Sequence, residues 1–388
     1  MKKDDYLPRK ILDVLKGVHG ETPVSLHEPR FIGNEWEYLK DCLDSTYVSS
    51  VGKYVDTFES KLSEITQSKY AIAVVNGTAA LHLALIIAGI KRGEEVLVPS
   101  LTFVATVNAI SYCDATPHFV DADENHLGID TKKLTTYLKD TTEIISGNCV
   151  NKMSGKIIRA IIPMHVFGHP SDIEGLLKIA KDFNLILIED AAESIGSFYK
   201  NKHTGTFGLM GTLSFNGNKT ITTGGGGAII TNDIKIAKLA KHLSTTAKIQ
   251  HRWKFEHDEI GYNYRMPNIN AALGCAQLEK LPFILKNKRA LFEKYKKSFK
   301  DVSGIHLLCE PSYCSSNYWL NTLVFQDGFE VFLEDTLEIT NKCGYMTRPI
   351  WTPIHLLKPY KHYPRMDLQS TEKLAKKIIN IPSGLPLE

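Results

Sequence analysis

A single lysine stands among small and polar residues in SFNGNKTITTGGGG, residues 214–227, just ahead of four consecutive glycines. A primary amine in such a setting can be an ordinary solvated charge. It can also be a nucleophile that condenses with a carbonyl and afterwards moves a proton. A surface lysine needs no glycine-rich flank, whereas glycines are required where backbone approaches another group closely or adopts positive φ. Two further stretches set chemistry-bearing residues against an apolar run. In LILIEDAAESIG, residues 185–196, Glu189 and Asp190 close a strand-like segment. Carboxylates there have partly left water and need a cationic or hydrogen-bonding partner, although Asp190 could equally cap the residues that follow. In NGTAALHLAL, residues 76–85, Gly77 and Thr78 open a helix-like segment. The free N–H groups and dipole of a helix start attract an anion; a plain turn with a threonine cap is the bland alternative.

Together these features are more specific than any one of them. Each follows a predicted strand, and in an open parallel sheet ligands sit at the carboxyl ends of the strands. An anion site, a buried carboxylate and a constrained lysine at one sheet edge fit pyridoxal phosphate. The phosphate would bind at Gly77 and Thr78. Asp190 would face the pyridine nitrogen and keep it protonated, so that the ring acts as an electron sink. Lys219 would hold the aldehyde as a Schiff base and then act as the base. A dinucleotide fold and a P-loop are excluded, because no G-x-G-x-x-G follows the first strand and no G-x-x-x-x-G-K-[ST] occurs.

The elements that must hold these residues follow from length and periodicity. The 388 residues exceed what one hydrophobic core usually serves, so two domains are expected. With 43% hydrophobic and 23% charged residues the chain has the composition of a soluble globular protein. A net charge of +3 gives no case for a nucleic-acid or membrane partner. No apolar run reaches membrane-spanning length, and MKKDDYLPRKILDVLKG lacks the apolar stretch of a secretory signal, so a cytoplasmic protein is expected. The seven cysteines are scattered, with no C-x-x-C, which predicts neither disulfides nor a metal site.

Helices are predicted over residues 9–18, 34–44 and 55–66, the last with Val55, Phe58, Leu62 and Ile65 on one stripe. From residue 70 to about 245, short apolar runs such as YAIAVV, EEVLVPS, LILIED and GAIITN alternate with helical segments. This pattern predicts an α/β fold with a mostly parallel sheet covered by helices on both faces. A long charged helix then begins near Leu278, and strand-like, helical and proline-rich aromatic pieces follow. The expected divisions are an N-terminal extension, 1–29, a large α/β domain, 30–265, and a smaller C-terminal α+β domain, 266–388.

The stretches VNGTAALHLAL, VPSLTFVATVNAI, HVFGHPSDI, LILIEDAAESIGS, SFNGNKTITTGGGGAIITND and GYNYRMPNINAALG resemble the DegT/DnrJ/EryC/StrS family. These are fold-type-I, pyridoxal-phosphate-dependent aminotransferases acting on nucleotide-linked keto-sugars. The resemblance runs from about residue 24 to the end. It implies that Lys219 carries the cofactor aldehyde, that Asp190 partners the pyridinium, that Gly77, Thr78 and Ser214 hold the phosphate, and that Phe103 covers the ring. It implies that Asn263 reaches the phosphate of a neighbouring subunit, which requires a homodimer with shared sites. Three residues after Asp190 many members carry Gln or His near the cofactor's phenolic oxygen; here stands Glu193, with cofactor contact, substrate contact and a salt bridge to another chain all open. Members that dehydrate have histidine where Lys219 stands, so the lysine points to amino transfer.

The stretches VSLHEPRFIGNEWEYLKDCLDSTYVSSVGKYV and RPIWTPIHLLKPY resemble a subgroup that aminates C4 of UDP-linked 4-keto-6-deoxy-N-acetylhexosamines for cell-surface sugars such as O-antigen or capsule. The implied donor is L-glutamate and the implied carrier of the amino group is pyridoxamine phosphate. Tyr47, Ser49 and Ser50 offer hydroxyls near a helix end, and Arg265, Arg348 and His355 offer donors in loops. The alternatives are a C3-aminotransferase on another nucleotide-linked keto-sugar and a non-catalytic regulator of the same fold; no basic helix-turn-helix supports the second.

Overall fold

A computed structural model describes residues 6–20 and 23–385. Its N-terminal part contains α1 (Leu7–His19), α2 (Glu35–Asp44) and α3 (Lys53–Thr66). Pro8 lies in the first turn of α1, where a missing N–H costs nothing, and Ile11, Leu12, Leu15 and Val18 form the buried stripe. Val55, Phe58 and Leu62 of α3 are buried as their spacing predicts, with Ile65 half-buried.

The α/β alternation continues as β1 (Tyr70–Val74), α4 (Gly77–Ile87), β2 (Glu95–Pro99), α5 (Val104–Tyr112) and β3 (Thr116–Val120). Then come α6 (Thr131–Thr141), the hairpin β4 (Thr142–Ile145) and β5 (Asn148–Asn151), β6 (Ile157–Ile161), α7 (Ile173–Asp182) and β7 (Ile186–Asp190). Two short strands, β8 (Phe198–Tyr199) and β9 (Lys202–His203), precede β10 (Met210–Ser214), β11 (Gly227–Thr231) and α8 (Ile234–Ser244). The sheet runs β1-β11-β10-β7-β6-β2-β3, with β5 beside β6 and β4 beside β5. Neighbours from β10 through β3 are parallel. β11 is antiparallel to both β1 and β10, which the apolar run GAIITN did not reveal. The cause is the connection: only residues 215–226 separate β10 from β11, with no crossover helix to return the chain, so adjacent pairing must be antiparallel.

α9 (Asn268–Ser298) starts ten residues before the predicted Leu278 and carries Pro282 inside it. Its first half packs with α2 and α3 through Ala271, Cys275, Leu278 and Leu281. Its second half joins another core through Leu291, Phe292 and Tyr295. That second core takes residues from β12 (Ile305–Leu307), β14 (Asn321–Phe325), α10 (Leu333–Lys342) and β16 (Ile378–Ile381), and the C-terminal part also contains β13 (Cys314–Ser315), β15 (Arg348–Pro349) and α11 (Gln369–Ala375). Here an antiparallel sheet runs β12-β14-β16-β15, while β13 pairs with β8. α1 packs on α10 and shares this core, so the N-terminal helix is joined to C-terminal elements.

Candidate active site

The loop 215–226 between β10 and β11 is held at both ends and in its middle. Phe215 donates its N–H to Gly226 O at 2.8 Å, Thr223 donates to Phe215 O at 3.0 Å, and Asn270 Nδ2 of α9 donates to Thr223 O at 2.7 Å. Two glycines, one in the loop and one at the start of β11, explain the run. Gly224 has φ of +77°, a region L side chains avoid, and a Cβ on Gly227 would lie 2.4 Å from the Asn76 carbonyl carbon. The loop therefore presses against the start of α4 and presents Lys219 inward. The Lys219 side chain is only 12% exposed, which rules out the surface-charge reading.

Lys219 lines a cavity of about 270 Å³ together with Gly77, Thr78, Phe103, Asp190, Glu193 and Ser214, so the chain brings seven predicted residues together. At the α4 start, Asn76 Oδ1 accepts from the Ala79 N–H at 2.8 Å and its carbonyl accepts from the Ala80 N–H at 3.1 Å. Among the described residues no protein acceptor takes the N–H of Gly77 or Thr78. A Cβ at Gly77 would come within 2.9 Å of Ser214 Cβ, so glycine is what lets the Ser214 hydroxyl approach these N–H groups. Two backbone donors and a hydroxyl at a helix start form a donor set suited to a phosphate.

Asp190 ends β7 with its carboxyl fully buried. Oδ2 accepts from Thr106 Oγ1 at 2.7 Å and Oδ1 from the Ala192 N–H at 3.1 Å. Burial raises its pKa, only partly offset by these bonds and by the Lys219 charge, so it demands a cationic partner in order to stay ionised. Glu193 is also buried, and burial likewise raises its pKa. Its Oε1 lies 3.1 Å from Lys219 Nζ, and its Oε2 accepts from the Phe167 N–H at 2.9 Å. Glu193 thus forms an ion pair within its own chain, with Lys219. The cavity thus brings together free backbone N–H groups and a hydroxyl at a helix start, a lysine amine, and a buried acid held by two hydrogen bonds, a set that fits pyridoxal phosphate.

Thr106, Trp319 and Trp351 line the same cavity and were not singled out in the sequence. Thr106 had a signal, lying three residues after Phe103 in LTFVAT, at the helix start that faces Asp190. Trp319 reads as strand core in NYWLNTLVF, and nothing local marks it.

The other predicted residues do not line this cavity in their own chain. Asn263 is exposed and accepts from Arg265 at 3.3 Å. Arg348 is exposed and donates to Asn341 Oδ1 at 3.1 Å. Tyr47, Ser49 and Ser50 lie between α2 and α3, where Tyr47 borders a separate depression. His355 lies outside this cavity and is held within its own chain. It is buried, with Nδ1 on Ser100 Oγ at 2.7 Å and Nε2 on Glu372 Oε1 at 3.1 Å, so both ring nitrogens have partners within the chain.

The sheet, its strand-end cavity and this donor set define a fold-type-I pyridoxal-phosphate-dependent enzyme. The chain belongs to the DegT/DnrJ/EryC1/StrS aminotransferase family, which it matches over residues 30–388. It is 39% identical over 364 residues to the GDP-perosamine synthase of Escherichia coli O157:H7, covering 93% of each chain. Among solved structures, Helicobacter pylori PseC, an aminotransferase involved in the biosynthesis of pseudoaminic acid, superposes with a TM-score of 0.83 at 26% identity, covering 93% of this chain and 94% of that one. The E. coli GDP-4-keto-6-deoxy-D-mannose-3-dehydratase superposes with a TM-score of 0.82 at 25% identity, covering 93% and 95%. The chain is a sugar aminotransferase of nucleotide-sugar biosynthesis, dependent on pyridoxal phosphate. Among the described residues no helix is long and apolar enough to cross a membrane.

Proposed function

We propose that the enzyme transfers the amino group of L-glutamate to C4 of a nucleotide-linked 4-keto-6-deoxyhexose, by a ping-pong exchange, for a cell-surface sugar. GDP is the nucleotide we favour. Three relatives matched over 93% of the chain are GDP-perosamine synthases, which draws the reading away from the UDP-linked N-acetylhexosamine implied by the N-terminal stretch. The observation that carries the reading is the shared cavity of Lys219 and Asp190, with a lysine where dehydrating members have histidine.

Bound in this cavity, pyridoxal phosphate supplies a carbonyl for amines and an electron sink for the carbon that loses its proton. The protein's own groups divide the remaining work. Gly77, Thr78 and Ser214 hold the phosphate. Thr106 and the Ala192 N–H fix the Asp190 carboxylate, which stabilises the ring cation. Lys219 Nζ is the only lysine amine among the lining residues, and it takes the proton from the donor carbon and later returns one to the sugar carbon. Phe103, Met164, Trp319 and Trp351 supply apolar wall that limits water.

The test combines two variants with two half-reactions. Lys219→Ala should lose turnover by about 10⁴-fold or more while still binding pyridoxamine phosphate. Asp190→Asn should keep the fold and lose about 10²-fold or more in kcat. Turnover of Lys219→Ala at the parent rate would overturn the mechanism. Glutamate-dependent formation of pyridoxamine phosphate, followed by a panel of GDP-, UDP- and dTDP-linked keto-sugars, reads out the substrate.

A further inference from the structure

Residues on both sides of Lys219, and its ion-pair partner, are gripped by one turn from the other core. Asn317 Nδ2 donates to the carbonyls of Glu193 and Ile195, both at 2.9 Å, and to Thr220 Oγ1 at 3.3 Å. Asn317 Oδ1 accepts from the Trp319 N–H at 2.8 Å, which closes the turn on itself. Trp319 Nε1 donates to Asn218 O at 2.7 Å, and its ring lies 4.0 Å beneath Lys219 Nζ. Thus residues 218 and 220 are each tied to a side chain of this turn, and the amine between them rests on its indole face.

The turn has an unusual support. Tyr318 has φ of +46°, strained for a residue with a side chain, and its ring stacks on Phe292 of α9 at 3.9 Å. Lys288, four residues before Phe292 on the same helix, is 1% exposed. Its Nζ donates to three carbonyls, those of Tyr318 at 3.2 Å, Trp319 at 3.1 Å and Ser383 at 2.9 Å. Among the described residues no carboxylate is hydrogen-bonded to it. An ammonium buried without a counter-ion is a poor way to fill space, because an apolar side chain of similar volume does so at lower cost. What it does that methionine cannot is hold three carbonyls in one place. Burial brings its pKa down to about 7, the mark of how dry the position is.

We propose that the Asn317–Trp319 turn is a positioning clamp for Lys219, with Lys288 as its buried anchor. The proposal rests on the reading of Lys219 as the residue that takes the cofactor aldehyde. Lys288 and Asn317 do not border the cavity, so they act through Trp319 and the backbone at 218–220. The clamp fixes the direction from which the amine reaches the cofactor.

The test compares Lys288→Met, which keeps volume and removes the three donors, with Trp319→Phe, which keeps an aromatic face and removes the bond to Asn218. Three readouts are used. The first is the visible circular dichroism per bound cofactor, which reports the angle at which it is held. The second is carbamylation of Lys219 by cyanate in the cofactor-free chain, mapped by mass spectrometry against surface lysines of the same molecule. The third is the split between kcat and KM. In Lys288→Met the dichroism should fall by about half or more, relative Lys219 labelling should change about threefold or more, and kcat should drop about tenfold with KM nearly unchanged. Trp319→Phe should move each in the same direction by less, and Lys288→Arg should restore part of each. A folded Lys288→Met with parent dichroism and labelling would overturn the proposal. If Lys288→Met does not fold, Trp319→Phe decides by the same readouts. The labelling needs neither cofactor nor sugar, so failure of the assigned substrate would leave this outcome standing, and the reverse.

Discussion

Glu189 and Asp190 are adjacent carboxylates with different tasks, because successive side chains leave opposite faces of a strand. Asp190 enters the cavity, while Glu189 is a structural anchor. Its Oε1 accepts from the N–H groups of Phe207 at 2.7 Å and Gly208 at 2.8 Å, and its Oε2 from that of Gly205 at 2.8 Å. His165 completes the set from 3.1 Å. Its Nδ1 accepts from the Ser171 N–H, so its proton is on Nε2, facing Glu189. Burial alone would raise the Glu189 pKa, but the hydrogen bonds from His165, Gly208 and Gly205 outweigh it, and the net shift is downward. A carboxyl with a depressed folded pKa contributes stability above its unfolded pKa and loses it as pH falls through the folded value. Glu189→Gln replaces an acceptor-only group by an amide whose NH₂ must face backbone N–H groups, and should cost about 3 kcal/mol at pH 7. Thermal melts should show the full gap between parent and variant at pH 7 and a smaller gap as pH falls below the ordinary carboxylate range. An unchanged melting point at pH 7 would refute the anchor role. The sequence marks both acids as needing partners, but three of Glu189's partners sit at residues 205–208, too far along the chain for local spacing to reveal.

At the scale of elements, the start of α4 and the β10–β11 connection are built as one piece. Gly227 begins β11, pairs with Val74 of β1 and with Ser214 of β10, and passes against Asn76. Gly227→Ala would place a methyl 2.4 Å from Asn76 C and 2.7 Å from Gly77 N, both backbone atoms that cannot rotate away. The start of α4 would have to shift, at a cost of about 2 kcal/mol, and the phosphate donors would move with it. The expected result is a folded enzyme of lower melting point with cofactor affinity reduced about tenfold, measured by fluorescence titration; unaltered affinity would show that the contact is not what sets the donors. Periodicity made most of these elements legible, since β1, β2, β7 and their helices are strongly apolar and bounded by turn residues. It did not give the direction of β11, which depends on a neighbour. It also left residues 124–157 unassigned, where α6 is capped by Asp130 through the N–H groups of Lys132 and Lys133. The clamp at 317–319 was unreadable for the same reason: its meaning lies in residues about a hundred positions earlier.

For the whole molecule, the residues that do not line their own cavity lie in or beside segments exposing large apolar side chains. Trp36 is 83% exposed and Val51 68% in the segment that carries Tyr47, Ser49 and Ser50; Phe255 is 81% and Ile260 86% exposed just ahead of Asn263. Apolar surface on this scale signals a partner, and α9 stiffens the first segment from beneath, where Asn268 Nδ2 donates to Tyr47 O and the Asn268 N–H to Ser49 O, both at 2.6 Å. We propose that a second copy of the chain covers both segments, with Asn263 of one protomer reaching the phosphate site of the other. This predicts a complementation that a cis arrangement cannot give. Lys219→Ala lacks the amine, and Asn263→Ala weakens the phosphate site. In a dimer that joins one chain of each, the site around the intact Lys219 would receive the intact Asn263, and the other site would lack both. Equal mixing and exchange would put about half of all dimers in the mixed form with one good site of two, so activity at limiting cofactor should rise to about a quarter of the parent level. If Asn263 instead served its own chain, neither site of the mixed dimer would be whole and mixing would add nothing. Sedimentation of each variant alone, showing the same dimer as the parent, separates that outcome from a failure to assemble.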